Sequence, residues 1–255
     1  MYLAKMSTKQ AEEAFKKDPI IVIPVGSTEQ HGTQGALGTD YLVPSYLADH
    51  ISDMDNVIVT PTVPFGVCPY HLSFAGTINI GYEGLYTVLS GITNSLMQHG
   101  ARRFLVLNGH GGNNPSIDKM ALDVYHKGGI CADIDWWSLV AQLDKKFAGG
   151  HGDGLETSVM MAVDPTAVHM ELSQPENGKA PSANTTPAYI QAIGFKGGTV
   201  RLPRDTKEVA PSGWFGCFDV KDTSRELGQE ALDLSVSYIH DFIEEYRTFA
   251  VGPQA

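Results

Sequence analysis

Ile20-Ile21-Val22-Ile23-Pro24-Val25-Gly26-Ser27-Thr28-Glu29-Gln30-His31-Gly32, completed by Gly38-Thr39-Asp40, is the stretch on which the reading of this chain turns. The apolar run Ile20 to Val25 has the pattern of a strand covered on both faces. It opens into a loop whose glycines leave the backbone free to approach other groups. Glu29 and His31 are two apart, so on extended chain they face the same side. Asp40 can return to them after a loop or at the start of the next helix. A lone Glu-x-His pair is more often a solvated piece of loop than a metal site, so its meaning depends on partners elsewhere.

The same rhythm of strand, loop and helix recurs along the chain. A first helix is read over Ser7 to Lys17, with Ser7 and Gln10 at capping-box spacing and Pro19 ending it. Asp40 to His50 reads as a helix that Pro44 restricts to starting near itself. Asn56 to Thr60 suggests a strand, and the Pro- and Gly-rich run Pro61 to Tyr70 delivers His71. Leu85, Val88, Leu89, Ile92 and Leu96 recur at helical spacing up to His99-Gly100. Arg103 to Asn108 is another buried-strand pattern, and it opens into Asn108-Gly109-His110-Gly111-Gly112-Asn113-Asn114 before a helix from about Pro115 to His126. Ile130 to Ile134 makes one more strand. Ala148-Gly149-Gly150-His151-Gly152-Asp153-Gly154 then precedes a helix over Leu155 to Val163. This repetition predicts an α/β fold with a mostly parallel sheet, whose sites lie beyond the C-terminal ends of the strands. The segments Pro175 to Pro187 and Gly194 to Asp222 read as irregular excursions that rim the site or join subunits. A long last helix, Thr223 to about Arg247, is expected to start from a Thr223/Glu226 capping box. One domain over 1–255 is the expectation.

Composition narrows the function classes. Lys and Arg number 18 against 29 Asp and Glu, a formal net charge of -11, which disfavours nucleic acid or an anionic membrane as partner. Cys68, Cys131 and Cys217 form an odd, scattered set with no C-x-x-C pair, so each is read as a small buried hydrophobe. The start of the chain shows neither a signal peptide nor a membrane span, and a cytoplasmic protein is the default.

The loops after strands supply Glu29, His31, Asp40, His71, His110, His151, Asp153 and Glu156. Mixed imidazole and carboxylate donors suit zinc, manganese or iron(II). His151, Asp153 and Glu156 can share one face at a helix start, although carboxylates favour that end of a helix in any case. Of the adjacent pair Trp136 and Trp137, both cannot easily face one core, so one lines a pocket or covers an interface. Other chemistries lack their signatures: no Gly-Lys-Ser/Thr phosphate loop, no G-x-G-x-x-G, no G-x-S-x-G elbow and no H-E-x-x-H.

Gly26-Ser27-Thr28-Glu29-Gln30-His31-Gly32 with Gly38-Thr39-Asp40, His71-x-x-Phe74-x-Gly76-Thr77, Asn108-Gly109-His110-Gly111-Gly112-Asn113, and His151 followed by Glu156-Thr157-Ser158 resemble, in that order, the motifs of the creatininase (creatinine amidohydrolase) family. The resemblance runs through about residues 20 to 163. It implies a three-layer α/β/α fold, a homo-oligomer that is commonly a hexamer, and two divalent metal ions per subunit, zinc first, with manganese or iron as alternatives. Residue by residue, it implies that Glu29, Asp40 and His110 hold one ion and His31 and Asp40 the other, with Asp40 as bridge. The second ion needs a further carboxylate. The enzyme that names the family has a glutamate two residues after the counterpart of His110, where this chain has Gly112, so Glu156 is the candidate here. His151 matches a family histidine that shuttles a proton. Asp153 stands where many relatives have glycine, and its role stays open between ligand, support for His151 and substrate contact.

The implied reaction is hydrolysis at a carbonyl carbon by a bridging hydroxide, with His151 or an adjacent carboxylate, Glu156 or Asp153, passing the proton to the leaving group, first of all for a cyclic amide or related C–N bond in a small molecule. A C–C bond in a cyclic polyhydroxy ketone, as in 3-dehydro-scyllo-inosose hydrolases, is the alternative reaction. A non-enzymatic oligomeric binding protein, its metal residues only tying loops together, is the alternative class. Substrate choice is assigned to His71, Trp136, Trp137, Asp153 and the irregular segment after Pro175.

Overall fold

Ile20–Val25 (β1) lies at the centre of a four-stranded sheet whose members all run parallel. Its neighbours are Val57–Val59 (β2) on one side and Arg103–Asn108 (β3) on the other, with Ile130–Asp135 (β4) beyond β3, giving the order β2-β1-β3-β4. The computed structural model describes residues 1–253. Alternation along the strands divides the apolar side chains between two cores. Ile20, Val22, Leu105 and Leu107 face one layer, built from Thr39–His50 (α2), Trp136–Leu143 (α5), Gly154–Val163 (α6) and Arg225–Tyr246 (α8). Ile21, Ile23, Val25, Phe104 and Val106 face the other, built from Thr8–Phe15 (α1), Gly81–Gln98 (α3) and Asn114–His126 (α4). The fold is thus three-layered, α/β/α, with the central sheet entirely parallel. Every residue of β1 is buried, which is why its sequence is a nearly unbroken apolar run.

The strand order reverses between β1 and β3, and the loops leaving their C-terminal ends open a crevice there. In open α/β sheets that switch point is where ligands bind. β1 delivers the Glu29–His31 loop into it and β3 delivers His110, after register pairs that end at Val25 and Asn108.

Several elements differ from the sequence expectation. α1 follows it, with Ser7 and Gln10 forming the reciprocal cap. α2, by contrast, starts at Thr39 and carries Pro44 inside it. Proline cannot donate to the carbonyl four residues back, and that carbonyl, on Asp40, is instead packed against two glycines: a Cβ on Gly26 or Gly109 would come within 2.2 or 1.8 Å of its oxygen. The two glycines let these loops pack closely on the first turn of α2. α8 starts one residue later than expected, because Ser224, not Thr223, accepts the Leu227 N–H. The Thr223 hydroxyl donates instead to the Val220 carbonyl.

The region read as irregular contains a second, antiparallel sheet of Thr186–Tyr189 (β5), Ala192–Phe195 (β6) and Gly198–Arg201 (β7). It is followed by a short helix, Thr206–Val209 (α7). Its strands are four residues long and none of their residues is fully buried, so no core of its own supports it. Of the three cysteines only Cys68 is buried; Cys131 is partly so and Cys217 is exposed, against the expectation that all three are buried.

Candidate metal centre

Two groups of three side chains converge at the switch point, and they share a residue. Glu29, Asp40 and His110 form one; His31, Asp40 and Glu156 form the other, with ligand-type atoms in each group within 4.8 Å of one another. A third grouping joins Glu29, His31 and His151. Asp40 reaches both sides because its two carboxylate oxygens diverge: Oδ1 lies 2.8 Å from His31 Nε2, and Oδ2 lies 3.1 Å from His110 Nδ1. Glu29 Oε1 is 3.2 Å from His110 Nδ1, and Glu156 Oε2 is 3.5 Å from His31 Nε2.

Each imidazole is oriented by its far nitrogen. His110 donates Nε2–H to the Val67 carbonyl at 2.9 Å, and His31 donates Nδ1–H to the Glu29 carbonyl at 3.1 Å. Each therefore turns its other nitrogen toward the carboxylates, the arrangement by which outer partners fix the tautomer of a metal-binding histidine. Ser27 donates to Glu29 Oε2 at 3.2 Å, leaving Oε1 directed into the centre. The Gly152 N–H donates to Glu156 Oε2 at 2.6 Å.

Three buried atoms at this point, Glu29 Oε1, His31 Nε2 and Asp40 Oδ2, have no hydrogen-bond partner among the described residues. His31 Nε2 is close to Asp40 but not aligned with it for a hydrogen bond. An unpartnered buried polar atom costs about 1–3 kcal/mol, and three pointing at one another are what a cation would satisfy. The donor set, two imidazoles and three carboxylates, also fits the borderline divalent ions.

The electrostatics follow from the burial of opposite charges. Burial pushes the His31 pKa down, but Asp40, then Glu156 and Glu29, outweigh it and hold it at about 10. His110 stands well above the ordinary imidazole value for the same reason, with Glu29 and Asp40 overcoming burial. Asp40 is held well below the carboxylate range, its burial outweighed by His31 and His110. Burial raises Glu156 to about 8, against the pull of His31. His151 is different: burial, followed by the neighbouring imidazoles of His71, His31 and His110, drives it well below its usual value. It stays neutral, with Nε2 2.8 Å from the Gln30 carbonyl oxygen. That oxygen can only accept, so Nε2 carries the proton and Nδ1 the free lone pair, and the Gln30 amide nitrogen 2.8 Å from the same Nε2 packs beside it without donating to it.

A cleft of about 410 Å³ opens over the centre, a volume suited to a small molecule. Asp40, His110, Glu156 and His151 form its floor; His71, Trp137, Tyr70, Tyr82, Tyr189, Gln191 and Arg201 are among its walls. His71 is buried and stacks on His151 with ring centroids 4.3 Å apart. The expectation for the tryptophans divides. Trp137 lines the cleft. Trp136 does not: it is packed in the core against the α2/α6/α8 layer, because the first turn of α5 turns adjacent side chains about 100° apart.

Asp153 does not reach the cleft either. It is the N-cap of α6, accepting from Leu155 N–H at 3.0 Å, Gly150 N–H at 2.7 Å and Phe218 N–H at 3.3 Å. Those bonds tie Asp153 to the backbone of the Gly150–His151 turn.

Sequence reasoning passed over Gln30, whose amide nitrogen lies 2.9 Å from His71 Nδ1, 2.8 Å from His151 Nε2 and 2.9 Å from the Gly213 carbonyl, while Oε1 accepts from Gly32 N–H. Its place between Glu29 and His31 was the available signal. Asn108 was also passed over. It donates to the His110 carbonyl, Asn114 and Asp135, fixing the turn that carries His110.

The family model described as "Creatininase: Creatinine amidohydrolase" matches residues 4–243. Among curated proteins, a 3-dehydro-scyllo-inosose hydrolase of Thermotoga maritima is 29% identical over 183 residues, covering 67% of this chain and 58% of that protein. This chain therefore spans less than two thirds of that relative. A mycofactocin precursor peptide peptidase of Mycobacterium tuberculosis is 33% identical over 187 residues, covering 66% of this chain and 68% of the relative. Among solved structures, a creatinine amidohydrolase (creatininase) superposes with a TM-score of 0.75 at 22% identity, over 96% or more of both chains (97% and 98%).

Proposed function

The chain belongs to the creatininase family, and from that premise we propose that this metal-dependent hydrolase cleaves an amide or related C–N bond at the carbonyl carbon of a small molecule. The observation that carries the reading is the convergence of Glu29 Oε1, His31 Nε2 and Asp40 Oδ2, buried and unpartnered, beside a cleft that Asp40, His110 and Glu156 line. Glu29, Asp40 and His110 would hold one divalent ion; His31, Asp40 and Glu156 would hold the other, with Asp40 between them. Two divalent ions there supply Lewis acidity toward a carbonyl and an activated water at neutral pH.

The chain's own residues do the rest. Backbone contacts through Val67, Glu29 and Gly152 keep the donors aimed, so little reorganisation is needed on loading. His151, kept neutral by burial, offers Nδ1 to take a proton and pass it to the leaving group. His71, 3.5 Å from Glu29 Oε1 through Nε2, is bonded through Nδ1 to Thr206 Oγ1 at 2.9 Å and is positioned to fix the substrate's far side. Trp137 closes the cleft wall against water. Zinc is the first choice of ion, with manganese or iron as alternatives, because this donor set discriminates weakly among them.

A second reading rests on Gly112. The position carries no glutamate, and a Cβ there would strike the Val67 carbonyl. The relative from Thermotoga maritima is named for hydrolysis of an inosose ketone, which makes C–C cleavage of a cyclic polyhydroxy ketone the alternative. A homo-hexamer in the cytoplasm completes the proposal. It is supported by the apolar Tyr189, Phe195, Val200 and Leu202, which are exposed on and beside the β5–β7 sheet, and by the free cysteines.

Incubating the protein, reconstituted separately with zinc, manganese and iron(II), with lactams, formamides, short peptides and inosose ketones tests this reading. Turnover of a C–N substrate is the expected result. Turnover confined to ketones selects the second reading, and no turnover with any ion overturns both.

A further inference from the structure

Arg201 is the only lysine or arginine among the residues lining the cleft. It ends β7, where it pairs with Ala192 of β6, and the next residue's N–H bonds to the Gln191 carbonyl at 2.8 Å. The antiparallel sheet thus carries this side chain to the cleft wall opposite the strand-end loops. Arg201 is exposed, and among the described residues its guanidinium makes no ion pair and no hydrogen bond. Around it stand Tyr70, Tyr82 and Gln191, neutral groups able to donate or accept. Its charge is felt at Tyr82, whose pKa is raised chiefly by burial and then by Tyr70 and lowered by Arg201.

Asp40 and Glu156 line the cleft beside three histidines, and the chain carries a formal net charge of -11. A free guanidinium held in such a place serves no folding role visible in its contacts. It presents a planar fork of donors that matches an oxyanion in two-point fashion. We infer that Arg201 is the specificity-determining residue for a carboxylate on the substrate, bound at the end of the cleft away from the Asp40 centre. The inference rests on the hydrolase reading above and narrows its substrate class to acids: an amide, lactam or peptide that carries a free carboxylate beyond the scissile carbonyl. A single guanidinium flanked by phenols and an amide balances one negative charge.

The test has two arms. In the first, calorimetry measures the binding of succinamic acid and of succinamide, a carboxylate and its uncharged counterpart, to the zinc-loaded wild type and to Arg201→Gln and Arg201→Lys. The wild type is expected to prefer the acid by about tenfold, the worth of one charge-assisted contact. Arg201→Gln should lose that preference and Arg201→Lys should keep part of it. In the second arm, dipeptides and N-formyl amino acids are compared with their C-terminal amides as substrates. The preference should appear in KM and not in kcat, since Arg201 stands away from the reacting carbon. Equal binding of acid and amide by the wild type, or a preference that survives in Arg201→Gln, overturns the inference; such a surviving preference would place the carboxylate on the metal ions. If phosphate displaces succinamic acid more strongly from the wild type than from Arg201→Gln, and more strongly than acetate does, the carboxylate assignment is overturned. Anion preference without turnover would sink the hydrolase reading and leave Arg201 as an anion site. Turnover without anion preference would do the reverse.

Discussion

Gly112→Ala is the most exacting substitution this structure offers. Gly112 follows the β3 loop, two residues after His110, and its backbone is not in the left-handed region, so alanine meets no conformational penalty. The constraint is space. An added Cβ would lie 2.0 Å from the Val67 carbonyl oxygen and 2.5 Å from His110 Nε2, the two atoms that form the 2.9 Å bond orienting His110. To restore even a 3.0 Å approach, the Val67 carbonyl must recede by about 1 Å, which breaks that bond. Overpacking of this kind costs about 1–3 kcal/mol, and the orphaned imidazole donor about 1–3 kcal/mol more. Loss of such an outer contact lowers metal affinity about 10- to 100-fold.

The assay is denaturant unfolding of the chelator-treated proteins, paired with competition for zinc against a fluorescent chelator. Gly111→Ala is the control, because its Cβ would meet only Trp137 Cζ2 at 3.5 Å, an ordinary contact, and it should behave as wild type. If Gly112→Ala matches Gly111→Ala in both stability and zinc affinity, the bond from His110 to Val67 does not hold the ligand. The account of Gly112 as a backbone too crowded for the glutamate found in the family's naming enzyme then fails with it.

Trp136→Ala should destabilise the fold by about 3–5 kcal/mol as a large core truncation, whereas Trp137→Ala should change substrate KM with stability within about 1 kcal/mol; comparable losses of stability in both would contradict their division between core and cleft. Gln30→Leu removes the amide that joins His71, His151 and Gly213, and should lower kcat about tenfold or more while the protein still binds two ions; loss of metal together with activity would show Gln30 supporting the ligands instead. Asp133, on the edge strand β4, has its pKa raised to about 6 by partial desolvation, then by Asp135 and Asp118. The folded chain therefore holds that proton more tightly than the unfolded chain, whose value is about 3.9. The stabilisation is complete below about pH 4 and is lost as pH rises through about 6. Asp133→Asn should lack this loss, so the difference in denaturation midpoint between variant and wild type should widen from pH 4 to pH 7; a constant difference would refute it.

What could be read from the sequence and what could not divides along physical lines. β1 and β3 were legible because strands covered on both faces must be apolar throughout, and a Gly-rich loop after each marked where side chains leave the sheet. Glu29, His31, Asp40 and His110 could be gathered because they follow such strands, Glu156 because it begins a helix after a Gly-rich loop, and the family resemblance then divided them between two ions. Pro44 misled because a proline costs a helix one bond without ending it when the helix is held by its packing, and α2 is held by Val43, Leu47 and Ala48 in the core. The β5–β7 sheet left no alternating pattern, since neither face is buried enough to require one. Asp153 and Trp136 were ambiguous for a related reason: an acid at a helix start serves as a cap or as a ligand, and a tryptophan as core or as pocket wall. Only the packing around them decides.

The central claim is one centre of two ions sharing Asp40, and metal stoichiometry tests it most directly. Purified wild type, stripped and reloaded with zinc, then dialysed and measured by plasma mass spectrometry, should hold two ions per chain. Glu156→Gln should hold one, since Glu156 belongs to only one of the two groups, and Asp40→Ala should hold none, since Asp40 belongs to both. A wild type that retains no ion, or an Asp40→Ala variant that retains two, would contradict the account.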